Sequence, residues 1–184
     1  MKVLSYKNMK TLNVIEKTRQ YLDYIEEHVK NVEKAWQQIQ IKCSDMFFVK
    51  DEYWFGILNE EIKNHDLSKL SSFEFVQYRQ KYFPTKLEKI NKDIENFYLF
   101  ALVHHIEHND HHWETWTKIN YFKNKKLNNN MKKIHCVHMI IDWTAMGYKF
   151  NDSAKEFYEK REKDFLIPKK YVKFMYEIFD RLKK

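Results

Sequence analysis

An adjacent histidine and aspartate, His65 and Asp66, stand within the segment Asn-His-Asp-Leu-Ser-Lys at residues 64–69. Both side chains can reach one divalent cation, the histidine through a ring nitrogen and the aspartate through a carboxylate oxygen. Such mixed ligands suit first-row transition metals, and also Mg or Mn where oxygens dominate. An exposed pair at a helix end would have the same sequence, so a metal site requires further ligands elsewhere in the chain.

Two further residues have the chemistry of metal ligands. His28 stands in a predicted amphipathic helix, three residues after Ile25 and four before Val32, and therefore on or beside its buried face. A histidine at such a place is more often a hydrogen-bonded core residue than a ligand. Asp142 stands within the apolar run at residues 139–143, where a buried carboxylate is costly unless it is paired or bound to a cation.

A histidine-dense block lies between these candidates, because five of the nine histidines fall within residues 104–112. His104 and His108 are i,i+4 neighbours on one predicted helical face, and His105 points about 100° away from them. Glu114 follows the block and could orient one of its histidines, as carboxylates do around bound metals. The alternative interpretation is a histidine-rich surface turn that binds metal adventitiously.

The composition favours helices as the elements that position these residues. Two Gly and two Pro in 184 residues leave few residues suited to turns, and an aromatic content of 17% supports a packed core. We predict an all-α, single-domain helical bundle over residues 1–184 with about six to eight helices. Its core spans about residues 13–165, and a C-terminal helix at about residues 168–183 packs on it.

Local signals predict where the helices begin and end. Capping boxes, in which Ser or Thr accepts from the third amide and Glu reaches back, are predicted at Ser71, Thr85 and Ser153. Residues 120–130 are polar and are predicted to form a surface loop. The predicted helices run from Asn13 to Ile41, from Lys50 (with Asp51 as N-cap) to Asn64, from Ser71 to Phe83, from Thr85 to His108, through Trp113 and Trp116, from Met131 to Phe150, from Ser153 and from Pro168.

Charge and cysteine content limit the function less strongly. The net charge of +7 comes mostly from scattered lysines, with basic runs at residues 123–126 and 132–133, and a solvated surface is the favoured interpretation over a nucleic-acid site. Cys43 and Cys136 have no CxxC spacing and are consistent with a reducing cytoplasm. No apolar run approaches the ~20 residues of a membrane span. We therefore expect a cytoplasmic protein with no membrane partner.

The order H…HD…D over separate helices resembles the HD superfamily of metal-dependent phosphohydrolases. The gaps of 37 residues from His28 to His65 and 76 from Asp66 to Asp142 are compatible with that fold. The resemblance implies that His28, His65, Asp66 and Asp142 bind one divalent cation. Some members of the superfamily hold two metals through extra histidines, and the block at residues 104–112 lies in the corresponding interval.

Three longer motifs are similar to an uncharacterised family of HD-like proteins found in phage and bacterial genomes. They are HDxSK at residues 65–69, HHxxxNxHHWE at residues 104–114 and IDWxAM at residues 141–146. The similarity extends over about residues 21–165. It implies the fold and the metal site but no settled substrate.

From these resemblances we expect a hydrolase that acts on a nucleotide or another small phosphoester, with a metal-activated water as nucleophile. The cofactor would be one divalent ion, or two, among Mn, Co, Fe, Mg, Zn and Ni. Lys69, four residues after His65, is spaced to neutralise phosphate charge, with a salt bridge to Glu74 or a surface charge as the alternative. The predicted roles are catalytic for Lys69, His105, His112 and Glu114, and substrate-binding for His104, His111 and Trp113.

Two other functions remain open from the sequence. Some HD-fold proteins hold two irons and activate dioxygen, and a histidine-rich second site would suit iron. A non-catalytic helical module could instead use the basic surface to bind nucleic acid, with a purely structural metal. Trp113, Trp116 and Trp143 could stack on a nucleobase, although tryptophans at this density are more often core residues. The sequence leaves the oligomeric state undecided, with a homodimer as one option.

Overall fold

The computed structural model describes residues 2–116 and 131–183, and every regular element in these ranges is helical. The predicted all-α fold class is therefore confirmed. The described ranges contain nine α-helices, against the six to eight predicted, because two single turns count among them. They are α1 (Lys2–Lys42), α2 (Phe47–Lys50), α3 (Glu52–Lys63), α4 (Phe75–Tyr82), α5 (Asp93–His108), α6 (Trp113–Trp116), α7 (Lys133–Phe150), α8 (Ala154–Arg161) and α9 (Lys169–Leu182).

The residue contacts divide the chain into two compact units. The first unit comprises Met1–Glu27 and Asp66–His108, and the second comprises His28–His65 and Asn109–Lys184. Helix α1 contributes residues to both units. The single domain expected from the sequence stays a prediction.

The first unit is built on α4 and α5, which pack together beside a short 3-10 turn at Leu67–Leu70. Aromatic rings fill this unit: the ring of Tyr21 lies 5.3 Å from that of Phe75, and the rings of Tyr78 and Tyr98 also lie 5.3 Å apart. These contacts fix the relative positions of α4 and α5, and hence of the histidines on α5.

Two predicted helix starts in the first unit are wrong. The Thr85 capping box forms, with Thr85 Oγ1 accepting from the Glu88 amide at 3.4 Å, but it opens only a 3-10 turn at Glu88–Ile90, and α5 begins at Asp93. The Ser71 box does not form, because α4 begins at Phe75 without a side-chain cap. The Glu74 carboxylate instead binds two histidines of α5, and this contact outweighs the local capping signal.

The second unit contains a large apolar core around α7, which packs against α3, α8 and α9. Asp51 caps α3 as predicted, since its carboxylate accepts from the amides of Tyr53 and Trp54. The Ser153 capping box is also confirmed at the start of α8. Helix α9 begins directly after Pro168. These caps fix the ends of the helices that surround α7.

Two remaining expectations concern the surface and the membrane. None of the helices in the described ranges is both long enough and apolar enough to cross a membrane. The predicted loop at residues 120–130, with its basic run at residues 123–126, lies outside the described residues.

Candidate metal centre

Three elements of the second unit bring ionisable side chains together. Helix α1 supplies His28, the residues after the end of α3 supply His65, and α7 supplies His138 and Asp142. His138 and Asp142 are four residues apart and therefore share one face of α7. His28, His65 and His138 are each at least 94% buried, which is unusual for polar side chains unless they have partners.

Three of the predicted ligands converge on one point. His28 Nε2 lies 3.0 Å from His65 Nε2 and 3.2 Å from Asp142 Oδ1, and His65 Nε2 lies 3.5 Å from Asp142 Oδ1. Donor atoms that bind one transition-metal ion at about 2.1 Å are about 3.0–3.5 Å from one another. The spacing and the donor types, two imidazole nitrogens and one carboxylate oxygen, therefore fit a divalent cation.

The Asp142 carboxylate is ionised in this arrangement. Burial acts to raise its pKa, but hydrogen bonds from His28 and His65 outweigh burial and hold the pKa well below its usual range. An ionised carboxylate beside two ring nitrogens supplies the negative charge that a divalent cation needs.

His65 also contacts His138, which in turn lies beside Glu61. His65 Nδ1 lies 2.9 Å from His138 Nε2, and His138 Nδ1 lies 3.2 Å from Glu61 Oε2. The contact between His138 and Glu61 has the distance of an ion pair, without the alignment of a hydrogen bond. Both ring nitrogens of His65 thus face polar atoms within the second unit.

The histidine-dense block contributes to the same unit through His111 and His112. His111 is buried, and its ring stacks on that of His65 at 4.4 Å between centroids. Nitrogen atoms of His65, His111 and His138 lie within 4.8 Å of one another, a second grouping that could hold a metal ion. His112 Nδ1 lies 4.0 Å from Glu114 Oε2, and burial raises the pKa of Glu114.

The remaining predicted site residues lie in the first unit. Asp66 is buried and has a left-handed backbone with φ of 59°. Its carboxylate accepts from Lys69 Nζ at 2.5 Å and lies 3.3 Å from His105 Nε2. The predicted phosphate-binding Lys69 therefore has an ion-pair partner inside its own unit, namely Asp66.

Glu74 joins the two α5 histidines of the first unit. His105 Nδ1 lies 2.9 Å from one Glu74 oxygen, and His104 Nδ1 lies 2.7 Å from the other. Burial acts to raise the pKa of Glu74, but hydrogen bonds from His105 and His104 outweigh burial and lower it. His104 also stacks against the exposed ring of Phe73, with 5.0 Å between centroids.

The tryptophans of the second unit pack against other aromatic side chains. Trp113 meets Phe165 edge-on with 5.8 Å between centroids, and Trp143 is buried within the apolar core. The ring of Trp116 stacks on His135 at 4.0 Å. These contacts agree with the alternative that the tryptophans are core residues, and the substrate-binding role of Trp113 stays a prediction.

Three residues of these clusters were not predicted as site residues: His138, Glu61 and Glu74. The sequence carries a signal for His138, because a histidine four residues before Asp142 must share its helical face. Glu61 likewise stands four residues before His65, near the end of α3. Glu74 was assigned to a helix cap, and its true partners lie about 30 residues away on α5.

Comparison with known families places the chain in one of them. Residues 17–181 match the family described as "Family of unknown function (DUF5662)". Because the match covers most of the chain, the protein belongs to this family. Neither the curated proteins nor the solved structures gave a significant match.

Proposed function

We propose that this DUF5662 protein is a metal-dependent phosphohydrolase that acts on a nucleotide or another small phosphoester. The observation that carries the proposal is the meeting of His28 Nε2, His65 Nε2 and Asp142 Oδ1 within 3.0–3.5 Å. These are three of the four ligands that the H…HD…D pattern predicts. The donor set suits Mn, Fe, Co or Zn better than Mg, because two of its three members are imidazoles.

The fourth ligand in this proposal is Asp66, which follows His65 in the chain. Its left-handed backbone is uncommon for a residue with a side chain, and strained residues cluster at functional sites. Its carboxylate is buried and lies beside Lys69 Nζ and His105 Nε2. This assignment rests on the sequence pattern and on the local strain.

A divalent ion in this site would supply an activated water and charge neutralisation for a phosphoryl group. His28 and His65 would bind through their Nε2 atoms, and Asp142 would contribute the negative charge. His112, with Glu114 near its Nδ1, is proposed to protonate the leaving alkoxide. Burial raises the pKa of Glu114, and its carboxyl group would orient the His112 ring.

The predicted roles of the remaining side chains belong to the same proposal. Lys69 and His105 would act on the phosphate charge, and His104, His111 and Trp113 would contact the substrate. Three of the five, namely Lys69, His104 and His105, have carboxylate partners within the first unit. Their variants must therefore be read for stability as well as for activity.

A second candidate function is an oxygenase with two irons. The grouping of His65, His111 and His138 favours it, because these histidines could hold a second ion beside the first. A preparation that contains two irons per chain and a visible charge-transfer band would favour the oxygenase over the hydrolase.

The test is metal content combined with a substrate screen on full-length protein purified without a histidine tag. We expect close to one bound transition metal per chain and hydrolysis of at least one nucleotide or generic phosphoester. Asp142→Asn should lose both metal and activity while the helical circular dichroism persists. An Asp142→Asn protein that keeps its metal would remove the proposed site.

A matched control is available on the same helix. Thr144 is two residues from Asp142, is partly exposed and donates to the Ile140 carbonyl at 2.7 Å. Thr144→Ser keeps this hydroxyl and should leave metal content unchanged. Loss of metal in both variants would indicate damage to α7 rather than removal of a ligand.

A further inference from the structure

Two buried polar atoms of the second unit face each other without a hydrogen bond between them. His138 Nδ1 lies 3.2 Å from Glu61 Oε2, and neither atom has a hydrogen-bond partner among the described residues. The His138 side chain is 5% exposed, and its other ring nitrogen already contacts His65. Because buried polar atoms are nearly always satisfied, this pair indicates a site for a third group that binds both atoms.

The 3.2 Å separation of the two atoms fits a metal ion better than a water molecule. An ion about 2.1 Å from each atom would have them about 100° apart, close to the angles between ligands of tetrahedral or octahedral ions. A water about 2.8 Å from each would have to bind them about 70° apart, which is narrower than the angle between its hydrogen-bonding directions. A proton on His138 Nδ1 would not satisfy the pair either, because the contact lacks the alignment of a hydrogen bond.

A second carboxylate lies near the pair. Burial raises the pKa of Asp110, the negative charge of Glu61 raises it further, and His138 lowers it. Trp116 connects this residue to α7, because its Nε1 donates to the Asp110 carbonyl at 2.7 Å and its ring stacks on His135. Repulsion between the two carboxylates is a cost that a bound cation would remove.

We propose that His138 Nδ1 and Glu61 Oε2 bind a second divalent cation, with Asp110 as the nearby carboxylate that adds negative charge. One imidazole with one or two carboxylates suits Mn, Fe, Co or Zn. The Glu61 side chain is 27% exposed, so the pair lies close to the protein surface. This site differs from the grouping of His65, His111 and His138, because Glu61 contributes a ligand, and it does not depend on the hydrolase proposal.

The second site and the first site share a pair of imidazoles. The 2.9 Å contact between His65 Nδ1 and His138 Nε2 holds one proton, and two neutral imidazoles carry two protons in all. One proton is therefore left for the two outer nitrogens, His65 Nε2 and His138 Nδ1, whichever tautomers are present. An ion on one outer nitrogen places this proton on the other, so the second site is best measured where the first is disabled.

The first experiment titrates Co²⁺ into Asp142→Asn protein and follows binding by the d–d absorption bands. The co-purified ion of the first site should be absent, but one Co²⁺ per chain should still bind weakly, because Glu61 and His138 are intact. Adding Glu61→Gln should weaken this binding by about 10-fold or more, since a neutral amide replaces a carboxylate ligand. Adding Asp110→Asn instead should weaken it by a smaller factor.

The matched control is Glu60→Gln on the same background, because Glu60 is the neighbour of Glu61 on α3, is exposed and pairs with Lys63. It should leave Co²⁺ affinity unchanged, and circular dichroism should show the same helix content in all variants. Equal Co²⁺ affinities with and without Glu61→Gln would overturn the proposal, as would an Asp142→Asn protein that binds no Co²⁺.

The second experiment locates the ion. Anomalous scattering from Asp142→Asn crystals soaked in Co²⁺ should give a peak about 2.1 Å from both His138 Nδ1 and Glu61 Oε2. A peak only beside His28 and His65 would overturn the proposal. Failure of the proposed function has a different result: unmodified protein without bound metal would remove the first site, but it would not change the comparison between Glu61→Gln and Glu60→Gln.

Discussion

The two units each contain a buried cluster of histidines, but the partners of the ring nitrogens differ. In the first unit, both nitrogens of His105 face carboxylates, at 2.9 Å from Glu74 and 3.3 Å from Asp66. In the second unit, both nitrogens of His65 face other imidazoles, at 3.0 Å from His28 and 2.9 Å from His138. The first arrangement joins donors to acceptors, and the second places nitrogens against nitrogens.

This difference determines what each cluster can bind. A histidine between two carboxylates has an acceptor for an N–H on either ring nitrogen, and Lys69 places a positive charge beside Asp66 within the same cluster. Facing imidazole nitrogens cannot all donate, and at least one lone pair is left directed at its neighbour. Lone pairs beside an ionised Asp142 are suited to a cation. Histidine number alone would not distinguish the two clusters, whereas the carboxylate partners do.

The largest expected effect is on Co²⁺ affinity, which should respond to variants of the second cluster and not to His104→Ala in the first. His65→Ala removes the residue common to both groupings of the second unit and should weaken Co²⁺ binding by more than about 100-fold, beyond the loss from removing a partner of a ligand. His104→Ala in the first unit should leave Co²⁺ affinity unchanged. Titration monitored by absorption checks both, and equal losses would end the distinction between the two clusters.

The next largest effect is on the free energy of unfolding, and it comes from Glu74 in the first unit. Glu74→Gln leaves two histidines without their carboxylate, and the free energy of unfolding at neutral pH should fall by about 3 kcal/mol. The folded pKa of Glu74 lies below its ordinary value of 4.5, so that the stabilisation is present above that value and is lost as pH falls through the folded pKa. The difference from the unmodified protein should therefore shrink in acid.

Denaturant unfolding at several pH values checks this prediction. Glu95→Gln is the control, because Glu95 is a carboxylate of the same unit that forms an exposed ion pair with Lys81. It should cost well under about 1 kcal/mol. A Glu74→Gln protein that also loses Co²⁺ would show that Glu74 and its two histidines contribute to metal binding, in addition to the Asp66 ligand proposed above.

How far the sequence could predict these clusters depends on how many residues separate the partners of each contact along the chain. His28 and Asp142 were candidates because each stands on a predicted buried helical face, and the resemblance to the HD superfamily implied that they are ligands; the structure brings both to His65. The fold class followed from the scarcity of Gly and Pro. Glu74 was misassigned because a local capping motif and a contact 30 residues away give the same sequence signal. Glu61 was overlooked because its partner is 77 residues away on α7.

A smaller effect concerns how stability depends on pH, and it comes from His135 on α7. The ring of His135 stacks on that of Trp116. The pKa of His135 is lowered from 6.5 to about 4, mainly because the side chain is buried. Between these values the unfolded chain binds a proton that the folded protein does not, so stability falls as pH decreases from 6.5 towards 4. The full shift would correspond to about 3 kcal/mol.

The variant His135→Phe keeps an aromatic ring for Trp116 but cannot titrate. Between pH 4 and 6.5, its free energy of unfolding should change less with pH than that of the unmodified protein, by about 3 kcal/mol. Thermal or urea unfolding between pH 4 and 7 measures the difference. Parallel curves for the two proteins would mean that His135 accepts a proton in the folded state.

The smallest effect on stability concerns Lys69, where the two interpretations of the first cluster give different results. Its ammonium pairs with Asp66 at 2.5 Å, and His105 Nε2 also lies 3.3 Å from that carboxylate. Because His105 remains beside Asp66, Lys69→Met should cost only about 1–2 kcal/mol, less than the loss of a whole buried pair.

Turnover decides whether Lys69 has a second role. If Lys69 neutralises phosphate as predicted, Lys69→Met should lower phosphoester turnover by roughly 10-fold or more while metal content stays the same. Lys81→Met is the control, since Lys81 pairs with Glu95 at the surface of the same unit and should change neither quantity. Lower stability with unchanged turnover would make Lys69 a counter-ion of Asp66 alone.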